Sequence, residues 1–370
     1  MDFKRVFFCC PFYYYCKKED DVMKNMLNTK FMLCSNQIDD RDYTLDTTLC
    51  GGNFKPIRYK YKLPIKDQGN TMKCVGYSHA TGLEMLYDTK EHLSHDFIYA
   101  NRDLSCGKDN PFQGYYDENA ENHLLEDGTC TYNEYHSDLE MSDLYFDLMK
   151  RKQDLLPKCK YKIKAHVKLN SIDEVKAFMN TYKSNGVVIT SINVFESVAN
   201  VKEDGIFPYS NGNRVGGHSM CCVGYDDKYI IVLNSIGEDW GDKGYGYIPQ
   251  DDKKVFQTFR GIIIDDGKAD LSYINIPEKT EVLYRVQIGA FRNKEYAMDL
   301  QKELANKELN EEQKKLIGEK SNYLGSCLIF DNGLYKVQVG SFRIKENANN
   351  LFKVLKQLGY DDCWITEYKK

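Results

Sequence analysis

The chain has 370 residues, 42% of them hydrophobic and 28% charged, with a net charge of −5 from 50 basic and 55 acidic side chains. That length holds two or three domains, and the charge balance gives no general affinity for nucleic acid or anionic membranes. No apolar run approaches the roughly 20 residues of a membrane span, and 13 cysteines without a compact regular spacing point to a reducing cytosol as the site of synthesis rather than to a disulfide framework.

Residues 1–40 open with Lys4-Arg5 and the run Val6-Phe7-Phe8-Cys9-Cys10-Pro11-Phe12-Tyr13-Tyr14-Tyr15-Cys16. A positive start before an apolar run imitates a signal peptide. The run is aromatic, is broken by Pro11 and lacks a small-residue cleavage site, so no clear signal peptide is read here. An aromatic strip packed on the following domain is the preferred reading. Cys9, Cys10, Cys16 and Cys34 fit no usual zinc spacing, and no metal or other cofactor is expected. Residues 41–66 lead in as extended chain, because residues before Pro56 and Pro64 avoid the helical region.

The stretch Asp67-Gln68-Gly69-Asn70-Thr71-Met72-Lys73-Cys74 begins as a turn, with Asp, Gly and Asn tolerating unusual backbone angles. From Cys74 on, Cys74, Tyr77, Thr81 and Ala80, Leu83, Leu86 recur at helical steps. A thiol at a helix N-terminus sits where the dipole and the first N–H groups favour an anion, which is how a thiol becomes a nucleophile. Gln68 can return an amide donor to the same pocket. The alternative for such a cysteine, taken alone, is a buried and inert thiol.

Helical spacing follows at Met141–Lys152 and at Ser171–Asn180, where Ser171 is placed to cap a helix with Glu174 at its third position. Gly186–Thr190 reads as a short buried strand, as do Met220–Val223, Tyr229–Leu233 and Phe256–Ile264. Residues 267–281, with Gly267 and Pro277, read as a linker. Beyond it, Tyr284-Arg285-Val286-Gln287-Ile288-Gly289-Ala290-Phe291-Arg292 is echoed 51 positions later by Tyr335-Lys336-Val337-Gln338-Val339-Gly340-Ser341-Phe342-Arg343. Each copy alternates as a half-buried strand and precedes an amphipathic helix, near Lys294–Asn306 and Lys345–Leu358. With strands near Cys327–Phe330 and Cys363–Thr366, this makes a β-α-β-β-α-β unit.

Two later stretches bear on Cys74. One is Gly216-Gly217-His218-Ser219-Met220-Cys221-Cys222-Val223-Gly224-Tyr225. The other is Val232-Leu233-Asn234-Ser235-Ile236-Gly237-Glu238-Asp239-Trp240-Gly241, running on to Gly244-Tyr245-Gly246-Tyr247-Ile248-Pro249. Cys, then His, then Asn is the order of a thiol–imidazole–amide triad. On these motifs the chain resembles the papain-like cysteine peptidases over roughly residues 41–266, and looks closest to their bacterial and viral branch. Asp40-Arg41-Asp42-Tyr43, Leu93-Ser94, Phe97-Ile98-Tyr99, Gly114 and Gly128-Thr129-Cys130 sit where that branch has similar residues.

The resemblance implies an α+β fold in which a helical lobe and a β lobe flank a cleft. It implies Cys74 as nucleophile, His218 as proton carrier, Asn234 as the orienter of the ring and Gln68, with the Cys74 N–H, as oxyanion donor. Trp240 would be cleft wall. Thr71-Met72-Lys73 before Cys74 and Val75 after it depart from the family pattern. Lys73 would add a cation beside the thiol, and Ile236 replaces the usual Trp as a smaller apolar shield. His79 reads as core or cleft wall, and Cys221 with Cys222 as small apolar strand residues rather than a metal site. A long inhibitory pro-segment is not expected.

The C-terminal repeat, with its Val-Gln-Val-Gly-Ser-Phe signature, resembles the SPOR domain, a bacterial cell-wall module that binds peptidoglycan glycan strands across its sheet. The stretch from about Lys307 to Leu324 is longer than that family usually has. Arg285, Gln287, Lys336 and Gln338 form the polar face that would meet glycan. The expected organisation is an N-terminal extension (1–40), a papain-like peptidase domain (41–266), a linker (267–281) and a SPOR-like domain (282–370). The expected function is a cysteine endopeptidase made in the cytoplasm and acting at the bacterial cell wall. Its partners would be a peptide or protein substrate and peptidoglycan, with no nucleic acid and no integral membrane span. The alternatives are an inactive wall-binding scaffold, and a general protein-degrading peptidase whose last domain is a generic ferredoxin-like interaction module.

Overall fold

The structure, a computed structural model, describes residues 42–52, 54–69, 71–101, 117–139, 141–275, 282–318, 324–342 and 344–369. The aromatic strip, Cys9, Cys10, Cys16 and Cys34, and the family-like Asp40, Arg41 and Gly114 lie outside the described residues. The chain divides into two compact units, whose last boundary along the chain lies between Ile274 and Asn275.

The first unit is built on a large sheet. Its strands are β1 (Thr44–Leu45), β2 (Ile57–Arg58), β3 (Ile163–Leu169), β4 (Gly186–Phe195), β5 (Arg214–Tyr225), β6 (Tyr229–Leu233), β7 (Tyr245–Pro249), β8 (Phe256–Ile264) and β9 (Ile274–Asn275). They run in the order β7-β6-β5-β4-β8-β3-β1-β9, with β2 pairing β5. Strand β4 lies between β5 and β8, antiparallel to both, and all ten of its residues are buried. A fully buried strand suits its β-branched run Val187-Val188-Ile189-Thr190.

Among the described residues, five α-helices complete this unit: α1 (Cys74–Leu86), α2 (His95–Ala100), α3 (Asp117–Glu126), α4 (Met141–Leu155) and α5 (Ile172–Thr181). Every residue of α1 from Cys74 to Glu84 is buried, the signature of a central helix rather than a surface one. It packs on β5, β4 and α2. Gly76 permits the last contact, since a Cβ there would collide with the His95 carbonyl of α2. Two buried carboxylates tie the helices to the rest of the unit. Glu84 of α1 pairs with Lys66 at 2.5 Å, and Glu121 of α3 pairs with Arg260 of β8 at 2.7 Å and with His166 of β3 at 3.1 Å. Ser171 caps α5 by accepting from the Glu174 N–H at 3.1 Å, while the Glu174 carboxylate accepts from Asn170 N–H rather than from Ser171. Residues 267–274 of the expected linker pack on this unit: Ala269 and Ile274 are buried, and Tyr182 donates to the Asp270 carbonyl at 2.8 Å.

The second unit has strands β10 (Val282–Phe291), β11 (Ser326–Asp331), β12 (Leu334–Phe342) and β13 (Trp364–Lys369), and helices α6 (Lys294–Ala305), α7 (Glu311–Ile317) and α8 (Lys345–Gln357). The sheet order is β11-β12-β10-β13, so the two repeat strands are neighbours. Val286, Ile288, Val337 and Val339 face a core shared with Ala297 and Leu304 of α6 and Leu351, Val354 and Leu355 of α8. The long stretch after Lys307 contains an extra helix, α7. It is opened by a capping box between Asn310 and Gln313 and closed by Gly318 at φ 67°, a left-handed angle that glycine takes without strain. No helix among the described residues is long and apolar enough to cross a membrane.

Candidate active site

The turn before α1 is stitched to the loop after β6. Asp67 Oδ1 accepts from Gly69 N–H at 2.8 Å, and the Gln68 carbonyl accepts from the Thr71 hydroxyl at 2.8 Å. Gln68 N–H donates to the Ser235 carbonyl at 2.7 Å, and Gly237 N–H to the Lys66 carbonyl at 3.1 Å. The Gln68 amide is held at both ends. Its oxygen accepts from Ser235 Oγ at 2.6 Å, and its nitrogen donates to the Thr71 carbonyl at 3.0 Å. The NH2 end is thereby held at Thr71, three residues before the first residue of α1. Cys74 is the first residue of that helix, whose first-turn N–H groups have no partner within the helix.

His218 lies in β5 and Asn234 directly follows β6. His218 Nε2 and Asn234 Oδ1 are 2.9 Å apart. The same oxygen accepts from Ser235 N–H at 2.8 Å, which identifies it as the amide oxygen, so the ring donates through Nε2–H. In the neutral imidazole Nδ1 is then the basic nitrogen. Cys74, His218, Asn234 and Gln68 are all buried.

Lys73 departs from expectation. It is buried and paired with Asp96 of α2 at 2.8 Å, and it donates to the Ser137 carbonyl at 3.2 Å. Its charge is matched by Asp96, so it is not a lone cation beside the thiol. Ile236 bridges to Asp67 and is buried two residues after Asn234. Trp240 is buried and packs edge-on against Phe207 with centroids 5.8 Å apart. His79 is fully buried and held to the Val75 carbonyl of its own helix at 2.8 Å. Cys221 and Cys222 are fully buried strand residues. Burial pushes both thiols up, Cys222 to about 12, which makes them inert.

Sequence reasoning missed a polar cluster one turn into α1. Asp117, the first residue of α3, is fully buried and accepts from the hydroxyls of Ser191 on β4 and Ser219 on β5. Ser78 Oγ of α1 lies 2.9 Å from Ser219 Oγ. Ser219 follows the His of the Gly-His motif and Ser78 lies one turn after the Cys, which was the available signal. Nothing local pointed to Asp117.

In the second unit Gln287 and Gln338 are cross-strand partners, 3% and 0% exposed, and Gln338 Nε2 donates to Gln287 Oε1 at 3.0 Å. The expected open amide pair is thus buried, each glutamine satisfying part of the other. On the same face Arg285 is half-buried with Nη1 3.7 Å from Cys327 Sγ, and Lys336 pairs with Asp331 at 2.5 Å. Trp364, opposite Gln287 on β13, is 45% exposed and was missed because a lone Trp near a chain end carries no pattern.

Comparison with known proteins agrees with this architecture. The model of the papain family of cysteine proteases matches residues 57–260, more than half of the chain, and the protein belongs to that family. The SPOR domain model matches residues 329–369. A cathepsin B-like cysteine proteinase of Ostertagia ostertagi is 32% identical over 93 residues, 24% of this chain and 26% of that protein. An uncharacterized peptidase C1-like protein of Acanthamoeba polyphaga mimivirus is 35% identical over 83 residues, 21% of this chain and 27% of that one. The matched stretch therefore spans about a quarter of the length of these relatives. Among solved structures, xylellain, a cysteine protease from Xylella fastidiosa, shares the fold with a TM-score of 0.50 at 19% identity, over 64% of this chain and 98% of that one.

Proposed function

We propose that the protein is a cysteine endopeptidase whose triad is Cys74, His218 and Asn234, with the SPOR domain directing it to peptidoglycan. The observation that carries the first part is the 2.9 Å bond between His218 Nε2 and Asn234 Oδ1. It assigns the ring's base to Nδ1 and keeps the imidazole in that tautomer. In the reaction, Cys74 gives its proton to His218 Nδ1 and attacks the substrate carbonyl carbon as thiolate. The tetrahedral oxyanion is met by the Gln68 side-chain amide and the Cys74 N–H, donors whose single loss typically costs about 10²–10³-fold in rate. His218 returns the proton to the leaving amine, and water, deprotonated by the same nitrogen, releases the acyl group from sulfur.

For the second part, the supporting features are the SPOR match and a sheet face carrying Arg285, Lys336 and the exposed Trp364 around the buried Gln287–Gln338 pair. Cations and aromatic rings are suitable groups for a sugar strand, with Trp giving a flat apolar surface beside a polar N–H.

The test of the nucleophile is selective alkylation of the full chain with an epoxide reagent at pH 6, followed by peptide mapping. The proposal expects modification at Cys74 with matching loss of turnover, while half-exposed Cys50 lags. Labelling of Cys50 with Cys74 untouched would sink it.

A further inference from the structure

The polar cluster beneath the site has no part in the proton transfers above, yet it joins the two elements that must meet. Ser191 and Ser219 are direct cross-strand partners on β4 and β5, so their hydroxyls stand side by side. Asp117 takes one on each carboxylate oxygen, Ser219 at 2.9 Å. With the Ser219 proton given to Asp117, Ser78 of α1 donates to Ser219 Oγ at 2.9 Å, sharing its proton with the Val75 carbonyl of its own helix at 3.0 Å. Ser78 is four residues after Cys74, on the same face of the helix, and Ser219 directly follows His218. One end of this hydroxyl–carboxylate chain therefore lies a helical turn from the thiol, and its middle lies one residue from the imidazole.

We propose that Asp117 is a positioning residue: through Ser219 and Ser78 it sets the separation between the helix that carries Cys74 and the strand that carries His218. The proposal rests on the Cys74–His218 reading given above. Its physical basis is that a proton passed between two side chains on different elements requires those elements to be held to a fraction of an ångström, and a misplacement of about 1 Å costs about 10²-fold. Apolar packing between α1 and β5 fixes their contact but not their sliding, because dispersion is non-directional. A chain of hydrogen bonds is directional and fixes both. The cluster is fully buried, with Ser78, Asp117, Ser191 and Ser219 all at 3% exposure or less. Broken links would therefore not be replaced cheaply by water. Burial pushes the Asp117 carboxyl above the usual carboxylate range, against the pull of His79 and the two hydroxyls. Asn keeps the shape of Asp and one oxygen acceptor, so it is the conservative variant.

The test uses the full chain and a small soluble peptide, with kcat expressed per Cys74 titrated by alkylation, so that misfolded protein is not counted. Ser219→Ala, Ser78→Ala and Asp117→Ala should lower kcat by about 10–100-fold while KM stays within about twofold. Asp117→Asn should recover kcat to within about threefold of the parent, because Asn Oδ1 still accepts from Ser219 and Ser191 can turn to accept from Nδ2. The Ser78→Ala/Ser219→Ala double variant should be no slower than the worse single one, since both break the same link. If Asp117→Ala does not fold, the serine variants decide the matter. Unchanged kcat per titrated Cys74 would overturn the proposal, and so would a rise in KM at constant kcat, which would make the cluster a substrate-facing surface. Cys74→Ala is the control: if it is inert while Ser219→Ala is fully active, only the positioning role fails. If Cys74→Ala remains active, the triad reading fails with it.

Discussion

Asn234 Oδ1 accepts two N–H groups at once, from the His218 ring and from Ser235. In the proposed reaction the amide orients the ring without transferring a proton, whereas His218 carries a proton in both halves. The two residues should therefore be separable by kinetics. Removing the base in His218→Ala should cost about 10⁴-fold in kcat and removing the orienter in Asn234→Ala about 10²-fold, near the upper and lower ends of general acid–base contributions. Equal collapse of the two variants would give Asn234 a larger role, and an unaffected Asn234→Ala would remove it from the triad. Lys73 belongs to the same scale. A cation next in sequence to a thiol reads as an activator, but its own partner decides its field, and Asp96 sits 2.8 Å away.

At the scale of elements, helix α3 is anchored by Glu121. Burial alone would raise this carboxyl, but Arg260 and His166 hold it well below the usual carboxylate range. A depressed folded pKa contributes stability that is complete above the unfolded value, near 4.5, and is lost as pH falls below it. Arg260→Met leaves buried Glu121 with only His166 and His79 as basic partners and should cost about 3–5 kcal/mol at pH 7. The penalty should shrink as pH is lowered through 4.5, where Glu121 can take a proton. Urea unfolding of both chains at pH 7 and pH 4 measures it, and a penalty that does not change with pH would show that Glu121 is not the group left stranded.

The same scale shows what could be read in advance. Helix α1, strands β6 and β8, and the two strand–helix repeats follow apolar periodicity and were legible with boundaries good to a residue or two. Strands β4 and β5 were read short. Those readings stopped at Thr190 and began at Met220, next to Ser191 and Ser219, which are hydrogen-bonded to Asp117, while Asn193 donates to the Lys254 carbonyl. Buried polar residues satisfied by partners far along the chain, 102 positions in the case of Ser219 and Asp117, leave no local pattern. Gln287 and Gln338 illustrate the converse: alternation assigned them correctly to a shared face, but a period of two says nothing about how exposed that face is.

For the molecule as a whole, the account assigns chemistry to the first unit and address to the second. All four proposed reacting groups, Gln68, Cys74, His218 and Asn234, precede Ile274, and no histidine follows His218. A tethered domain raises local substrate concentration without altering the chemical step. The most direct measurement incubates three proteins, the full chain, its Cys74→Ala variant and a chain ending at residue 275, with casein and with purified peptidoglycan sacculi, and weighs the released fragments. The account predicts that the full chain cuts peptide bonds and binds sacculi. It predicts that Cys74→Ala binds sacculi but releases nothing, and that the shortened chain keeps its activity on soluble peptide while losing sacculus binding. Fragments released by Cys74→Ala at the parental rate would contradict the central claim.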